Sequence, residues 1–311
     1  MRIVASYILK GPLHASLAAA VPAMLSISAP FLLKLMLIYF SAMTISLVSL
    51  RLGPKKGVSI LLAAVATALI VSQVLQVSNL ARLDLWNAIY LWALAWLAAS
   101  VLFFTRSLSL ALEAIGFVSV IPIVVYFAIV DEPIEFGLLL LEPMRLLLSS
   151  PESGLAPQQV SEMLRSAASL LAGSVVAYTA LGVILSLFVA RSWQANLFSP
   201  GAWAQEFRSL RLSRNEGWVT IVLIAILMFS SQLGEPLGLV LVNISVIIAL
   251  VYVIFGLAVI HGVIANSQSS GYWLGGIYIL LILLSKVVAP LLMLLALSDV
   301  WVNYRARVTK S

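Results

Sequence analysis

The chain has 311 residues, 62% of them hydrophobic and 10% charged, with a mean hydropathy of +1.11; a soluble domain runs at about half apolar and a quarter charged, so a soluble globular fold is excluded. Lys and Arg number 18 against 12 Asp and Glu, a net charge of +6, but the cations are scattered over short loops and helix ends, where they set topology; no nucleic-acid partner is expected. With no Cys and only His14 and His261, disulfides, thiolate metal sites and a zinc-type ligand set are excluded, and no cofactor is expected.

What remains is an all-α, polytopic transmembrane bundle forming one membrane domain. Stretches such as Val240 to Ile260 are apolar all round, whereas barrel strands alternate, and helices are the other structure that satisfies its own backbone in lipid. Arg2 and Lys10 precede an apolar stretch without a small-x-small cleavage context, so an uncleaved first helix is expected. Windows of suitable length and hydropathy fall at 12–29, 31–50, 57–76, 86–104 and 108–130, a five-helix N-terminal part over 12–130. On the first helix Ala15, Ala19 and Ala23 form a small-xxx-small stripe, which lets another helix, internal or from another subunit, come close. Lys34 lies about one turn into the second helix, within reach of the headgroups. The fourth carries Trp86, Tyr90, Trp92 and Trp96; Trp96 lies deep enough to line a cavity for a flat, apolar ligand. Glu113 lies about two turns into the fifth, where an ionisable group is a functional candidate or an ion-pair partner, with Arg106 in reach.

Residues 131–165 then bring six carboxylates against Arg145 and Arg165. Phe136 to Leu148 suits a lid or interfacial helix, and Pro157 opens a run expected to continue unbroken to Ala190, with the membrane helix over 166–190. In the basic segment 191–217, the stretch Phe198 to Trp218 sets Trp203, Phe207, Leu210 and Leu212 among Arg208, Arg211 and Arg214, the pattern of an amphipathic helix on the inner leaflet in preference to a solvated basic connector, with Arg208 and Arg211 as partner contacts. C-terminal helices follow at 218–234, 236–262 and 272–298, with a tail at 299–311. Lys286, near the middle of the last window and four residues before Pro290, is the first choice for a residue attracting an anionic group. Gln73, Gln76, Asn87, Asn243 and Tyr252 are uncharged polar groups able to bond a ligand or a neighbouring helix.

The positive-inside rule places the N-terminus, the turn Arg51–Lys56 and the segment 191–217 in the cytoplasm and the acidic stretch outside. Nine spans leave ten Lys and Arg inside against six outside; eight spans, with 218–234 re-entrant, leave thirteen against three. The expectation is eight to nine membrane helices, with eight preferred.

Four stretches in order carry a family resemblance: Ser46–Gly53 followed by Gly57; Phe207–Leu212; Asn243 leading through Tyr252 to Phe255–Val259; and Asp299–Arg307. Together they resemble the YybS-like family of bacterial integral membrane proteins, nearly end to end. The resemblance implies a multi-pass protein of the bacterial inner membrane, distantly similar to the substrate-binding subunits of energy-coupling-factor vitamin transporters. The alanine stripe then resembles the motif by which those subunits dock on a coupling subunit. They are shorter, with fewer helices, and none of their vitamin-binding motifs is matched here.

The functional expectation is a non-enzymatic recognition component for a small, partly apolar solute. Lys286, Asn243, Trp96 and Glu113 are its candidate binding residues, and Ala15, Ala19, Ala23, Arg208 and Arg211 its partner contacts, with the bilayer and a transporter coupling subunit as partners. The alternatives are a membrane scaffold acting through 191–217 and an intramembrane lipid-modifying enzyme built on Glu113 or Asp299. No Walker A, His-Glu-x-x-His or Gly-x-Ser-x-Gly motif occurs, which disfavours an enzyme.

Overall fold

A computed structural model describes residues 2–74, 79–267 and 271–308. Among them there is no strand, and the helices run α1 (Arg2–Ile8), α2 (Pro12–Ser26), α3 (Phe31–Leu52), α4 (Pro54–Val74), α5 (Asn79–Thr105), α6 (Leu108–Ile129), α7 (Pro133–Leu140) and α8 (Glu142–Leu148). After a short turn come α9 (Pro157–Ser169), α10 (Leu171–Phe198), α11 (Ala202–Arg208), α12 (Arg214–Met228), α13 (Glu235–Asn266), α14 (Tyr272–Leu283), α15 (Ser285–Val302) and α16 (Tyr304–Val308).

Seven of the described helices are long and apolar enough to cross a bilayer: α3, α4, α5 from Leu85, α6, α10, α13 and α15. Two of the nine windows have no span, and a third is realised only in its latter part. Those at 12–29 and 218–234 are realised as 15-residue helices, about 22 Å of rise against roughly 30 Å of hydrocarbon. The window at 272–298 is interrupted at Leu284, whose φ of −123° and ψ of 40° leave the helical region.

Two compact units make up the chain, the first from Met1–Val118, Thr179–Arg211 and Ala258–Asn266, the second from Ser119–Tyr178, Leu212–Leu257 and Ser267–Ser311. In the first, α3 is the central element: every residue from Ser41 to Leu50 is buried. Small residues make this possible. Ala15, Ala19 and Ala23 of α2 are at most 2% exposed, in a helix that packs on α3 and α4, as close approach in lipid requires. The Ser41 hydroxyl donates to the Ala19 carbonyl (2.5 Å) and accepts from the Trp92 indole N–H (2.7 Å), so α2, α3 and α5 are joined through one buried oxygen. Gly182 of α10 gives way to the Tyr39 ring, which a Cβ there would strike.

In the second unit α7 and α9 form a hairpin with α8 at its edge. The apolar side of α9, Val160, Leu164 and Ala168 at a four-residue spacing, is buried. A Cβ on Gly137 of α7 would lie 3.0 Å from the Ala168 Cβ and 3.1 Å from its carbonyl, so the glycine sets how closely the two helices approach. Elsewhere in this unit Gly256 of α13 meets the Leu292 backbone of α15, Tyr252 shares a hydrogen bond with Thr220 (2.5 Å), and Trp218 stacks edge-on against Trp301.

The run expected to be one helix from Pro157 to Ala190 is two helices, broken at Leu170 (φ −103°, ψ 0°). Asn243 of α13 accounts for the break. Its Oδ1 accepts from the Gly173 N–H (2.6 Å), and its Nδ2 donates to the Ser169 carbonyl (2.8 Å) and the Leu239 carbonyl (2.8 Å). A helix start leaves N–H groups without intrahelical partners and a helix end leaves carbonyls; one carboxamide satisfies one of each.

Candidate functional site

A sizeable cavity of the second unit lies outside the seven spans. It is a half-open groove of about 630 Å³ lined by residues of α7, α8 and α9 and the residue before α7, Glu132. The hairpin builds it directly: the four-residue repeat that turns Leu164 inward turns Ser161, Glu162 and Arg165 toward the groove. Leu138, Leu139 and Leu164 supply apolar wall, and four carboxylates, Glu132, Glu135, Glu142 and Glu162, face two guanidiniums, Arg145 and Arg165.

The charges are not equivalent. Arg145 holds Glu142 with two parallel hydrogen bonds, Nε to Oε2 at 2.7 Å and Nη2 to Oε1 at 2.6 Å. This hydrogen bonding depresses the Glu142 carboxyl below its ordinary value and raises the arginine. Arg165 and Glu135 stand at 3.9 Å, both side chains more than half exposed, a pair weak enough to open for a ligand. Glu132 and Glu162 remain in excess, and both are exposed. The groove therefore offers an apolar wall and an excess of two negative charges, with no nucleophile paired to a base. Such an arrangement can bind and orient a small molecule.

None of the four residues expected to form a binding site lines this groove. Asn243 is fully buried and its amide is occupied by the α9–α10 break. Trp96 donates its indole N–H to the Pro54 carbonyl (2.9 Å) at the start of α4, beside Gly57. Glu113 is half-buried on α6. Lys286 is not near the middle of a helix: it is the second residue of α15, just past the break at Leu284, and exposed. Asn243 and Lys286 belong to the second unit, Trp96 and Glu113 to the first. Asp299 is 2% exposed, accepts from the Tyr304 N–H (2.9 Å) and pairs with Arg305 at 3.3 Å, tying the tail back to α15. Gln76 and Lys310 lie outside the described residues.

Of the expected partner contacts, the alanines are covered by the chain's own helices, whereas Arg208 and Arg211 are exposed. The segment 191–217 does not hold the one amphipathic helix expected from Phe198 to Trp218. Its first eight residues complete α10, and α11 folds its aromatics onto the first unit: Trp203 and Phe207 pack on Phe188 at 5.0 and 5.6 Å between ring centres, and Phe207 meets His261 at 5.1 Å. Arg191 is held in a polar cluster there. Its Nε donates to Glu206 (2.8 Å), its Nη2 also reaches that carboxylate, and its Nη1 donates to Gln194 (2.7 Å), whose own amide donates to the Leu50 carbonyl (3.0 Å). The signal was present in the sequence as two glutamates, Glu206 and Glu216, among four arginines; its use was not, because Gln194 and Leu50 are 144 positions apart.

The groove was also missed as a site, although its charges were visible. Its signal is the apolar repeat of α9 interleaved with Glu162 and Arg165. In comparisons with known proteins, the chain matches no family model, no curated protein and no solved structure. The structure itself defines the class: an all-helical integral membrane protein with multiple apolar helices.

Proposed function

We propose that the chain is a non-enzymatic, multi-pass protein of the bacterial inner membrane, N-terminus inside, that acts as the small-solute recognition component of a transporter and receives its solute in the groove of α7, α8 and α9. The observation that carries this reading is the groove itself, about 630 Å³ with leucines beside four carboxylates and two guanidiniums, a size suited to a small molecule. The excess of carboxylates favours a cationic or zwitterionic solute with an apolar part. The positive-inside pattern puts the acidic segment on the outer side, where a recognition component meets its cargo. The resemblance to the YybS-like family, on Ser46–Gly53, Phe207–Leu212, Asn243–Val259 and Asp299–Arg307, agrees with this role and makes a coupling subunit its expected partner.

The test is native mass spectrometry of the protein in mild detergent, seeking a co-purified small molecule in wild type, in Glu132→Gln/Glu162→Gln and in Lys286→Ala. A cation-bearing molecule held by wild type and by Lys286→Ala, and lost from the glutamate variant, is the expected result. Retention by the glutamate variant removes the groove from the reading. A protein partner held by all three forms, with no small molecule, favours the second reading, a membrane scaffold, whose supporting observation is the exposed pair Arg208 and Arg211.

A further inference from the structure

One end of the first unit collects positive charge. The α3–α4 turn, the α5–α6 turn and the α10–α11 region meet there, because a small polar cavity of about 60 Å³ is lined by Leu50, Leu102, Phe103, Arg106, Arg191, Gln194 and Glu206. Around it Arg51, Lys55, Lys56, Arg106, Arg208 and Arg211 are all exposed. Glu206, in the same cluster, is engaged by Arg191. The backbone fixes where several of these cations stand. Arg106 occupies the left-handed region (φ 56°), which ends α5 and turns the chain into α6. The Arg211 N–H donates to the Ser109 hydroxyl (3.2 Å), which ties the segment after α11 to the first turn of α6. Arg51 lies with its guanidinium 3.7 Å from the centre of the Phe198 ring, itself 48% exposed.

We infer that this end is a binding surface for anionic glycerophospholipid headgroups, with Arg106, Arg208 and Arg211 as its phosphate contacts. The charges occur where spans end, which is the depth of the phosphate layer, and a guanidinium lying on an exposed aromatic ring suits the boundary between hydrocarbon and headgroup. Juxtamembrane clusters of four to eight Lys and Arg are what anionic leaflets attract. The apolar side of α11 is turned inward onto Phe188 and His261, so the attraction runs through charge and not through inserted aromatics. The surface does not depend on the groove or on the solute-recognition reading.

The full chain is placed in nanodiscs of equal parts phosphatidylglycerol and phosphatidylcholine, partly delipidated, and its retained lipids are counted by native mass spectrometry. Wild type is expected to retain phosphatidylglycerol preferentially. In Arg106→Gln/Arg208→Gln/Arg211→Gln that preference falls by about fivefold or more, the scale of one basic residue's attraction to an anionic surface. A control with the same charge removed elsewhere, Arg165→Gln/Lys286→Gln/Arg307→Gln, keeps it. No preference in wild type, or an equal fall in both variants, overturns the assignment. If the test variant does not fold, Lys55→Gln/Lys56→Gln on the exposed first turn of α4 replaces it, and wild-type retention is measured against salt. An unchanged preference in that double variant together with salt-independent retention also overturns it, as does a protein that co-purifies with wild type and not with the variants while lipid retention stays the same.

Discussion

The α2–α3–α5 packing of the first unit and the α7–α9 hairpin of the second place polar groups by opposite rules. In the first, the hydroxyls of Ser41, Thr44, Ser46 and Ser49 are buried and bonded to carbonyls of their own or neighbouring helices. In the second, the carboxylates and guanidiniums of the hairpin face outward around a groove, over a strip of Val160, Leu164 and Ala168 that faces in. Lipid is as apolar as leucine, so helices within a bilayer gain little from hiding apolar surface and instead pack through small residues and internal hydrogen bonds. In the hairpin it is α9 that sorts its residues by polarity, with Val160, Leu164 and Ala168 inward and its charges outward, while α7 and α8 leave Leu139, Leu140, Leu146 and Leu147 exposed. The difference separates a region built to be filled from a region left open.

Three changes would break or sharpen that contrast. The largest effect is expected from Trp92→Ala, which empties a fully buried site and removes the donor to Ser41; by the cost of aromatic truncation it should lower stability by about 3–5 kcal/mol. Unfolding in detergent micelles followed by circular dichroism reads this, and a loss under about 1 kcal/mol, the usual scale of a surface change, would mean the bundle is not close-packed there. Next comes Asn243→Leu, which leaves the Gly173 N–H and the Ser169 carbonyl without their partner. A cost of about 1–3 kcal/mol is expected, with faster hydrogen exchange confined to residues 169–173; exchange that is unchanged at the α9–α10 break would show that water or relaxation replaces the amide.

The smallest effect belongs to the groove's ion pair. Because Arg145 holds the Glu142 carboxyl below its ordinary value of 4.5, the folded state binds that proton less readily than the unfolded one. The pair's contribution is then complete above the ordinary carboxylate range and lost as the pH falls through the lowered value. Both side chains are solvent-exposed, so the loss should appear only as increased exchange in α8 at acid pH, abolished in Glu142→Gln, with the first unit unaffected. A uniform response of both units to acid would show that the hairpin and the packed helices unfold together.

Much of the architecture was legible from apolar windows, because crossing hydrocarbon demands a length and a composition that each segment carries by itself. Five of the seven spans match windows read from the sequence with ends close to those observed; α10 starts later than its window 166–190 and runs on to Phe198, and the seventh, α15, is the latter part of the last window. The breaks were not legible. Nothing local marks Leu170: the residue that stabilises its break is Asn243, on another helix. At Leu284 the visible signals were Lys286 and Pro290, read as features of a continuous helix. Lys286, Asn243, Trp96 and Glu113 were selected as polar or aromatic groups in apolar windows, but whether such a group meets a ligand or a backbone carbonyl depends on which helix packs against it.

By itself, then, the sequence determined the solvent of this protein, its helical nature, the approximate positions of most of its spans, the close-packing stripe of α2 and the segregation of acidic and basic segments; these follow from composition and periodicity, which are local. Only the tertiary structure decided what fills the alanine stripe, where the helices break, that the aromatics of α11 turn inward while Arg208 and Arg211 stay out, and that the acidic segment folds into a groove. Each of those depends on hydrogen bonds and contacts between residues tens to more than a hundred positions apart, and no local pattern encodes the partner.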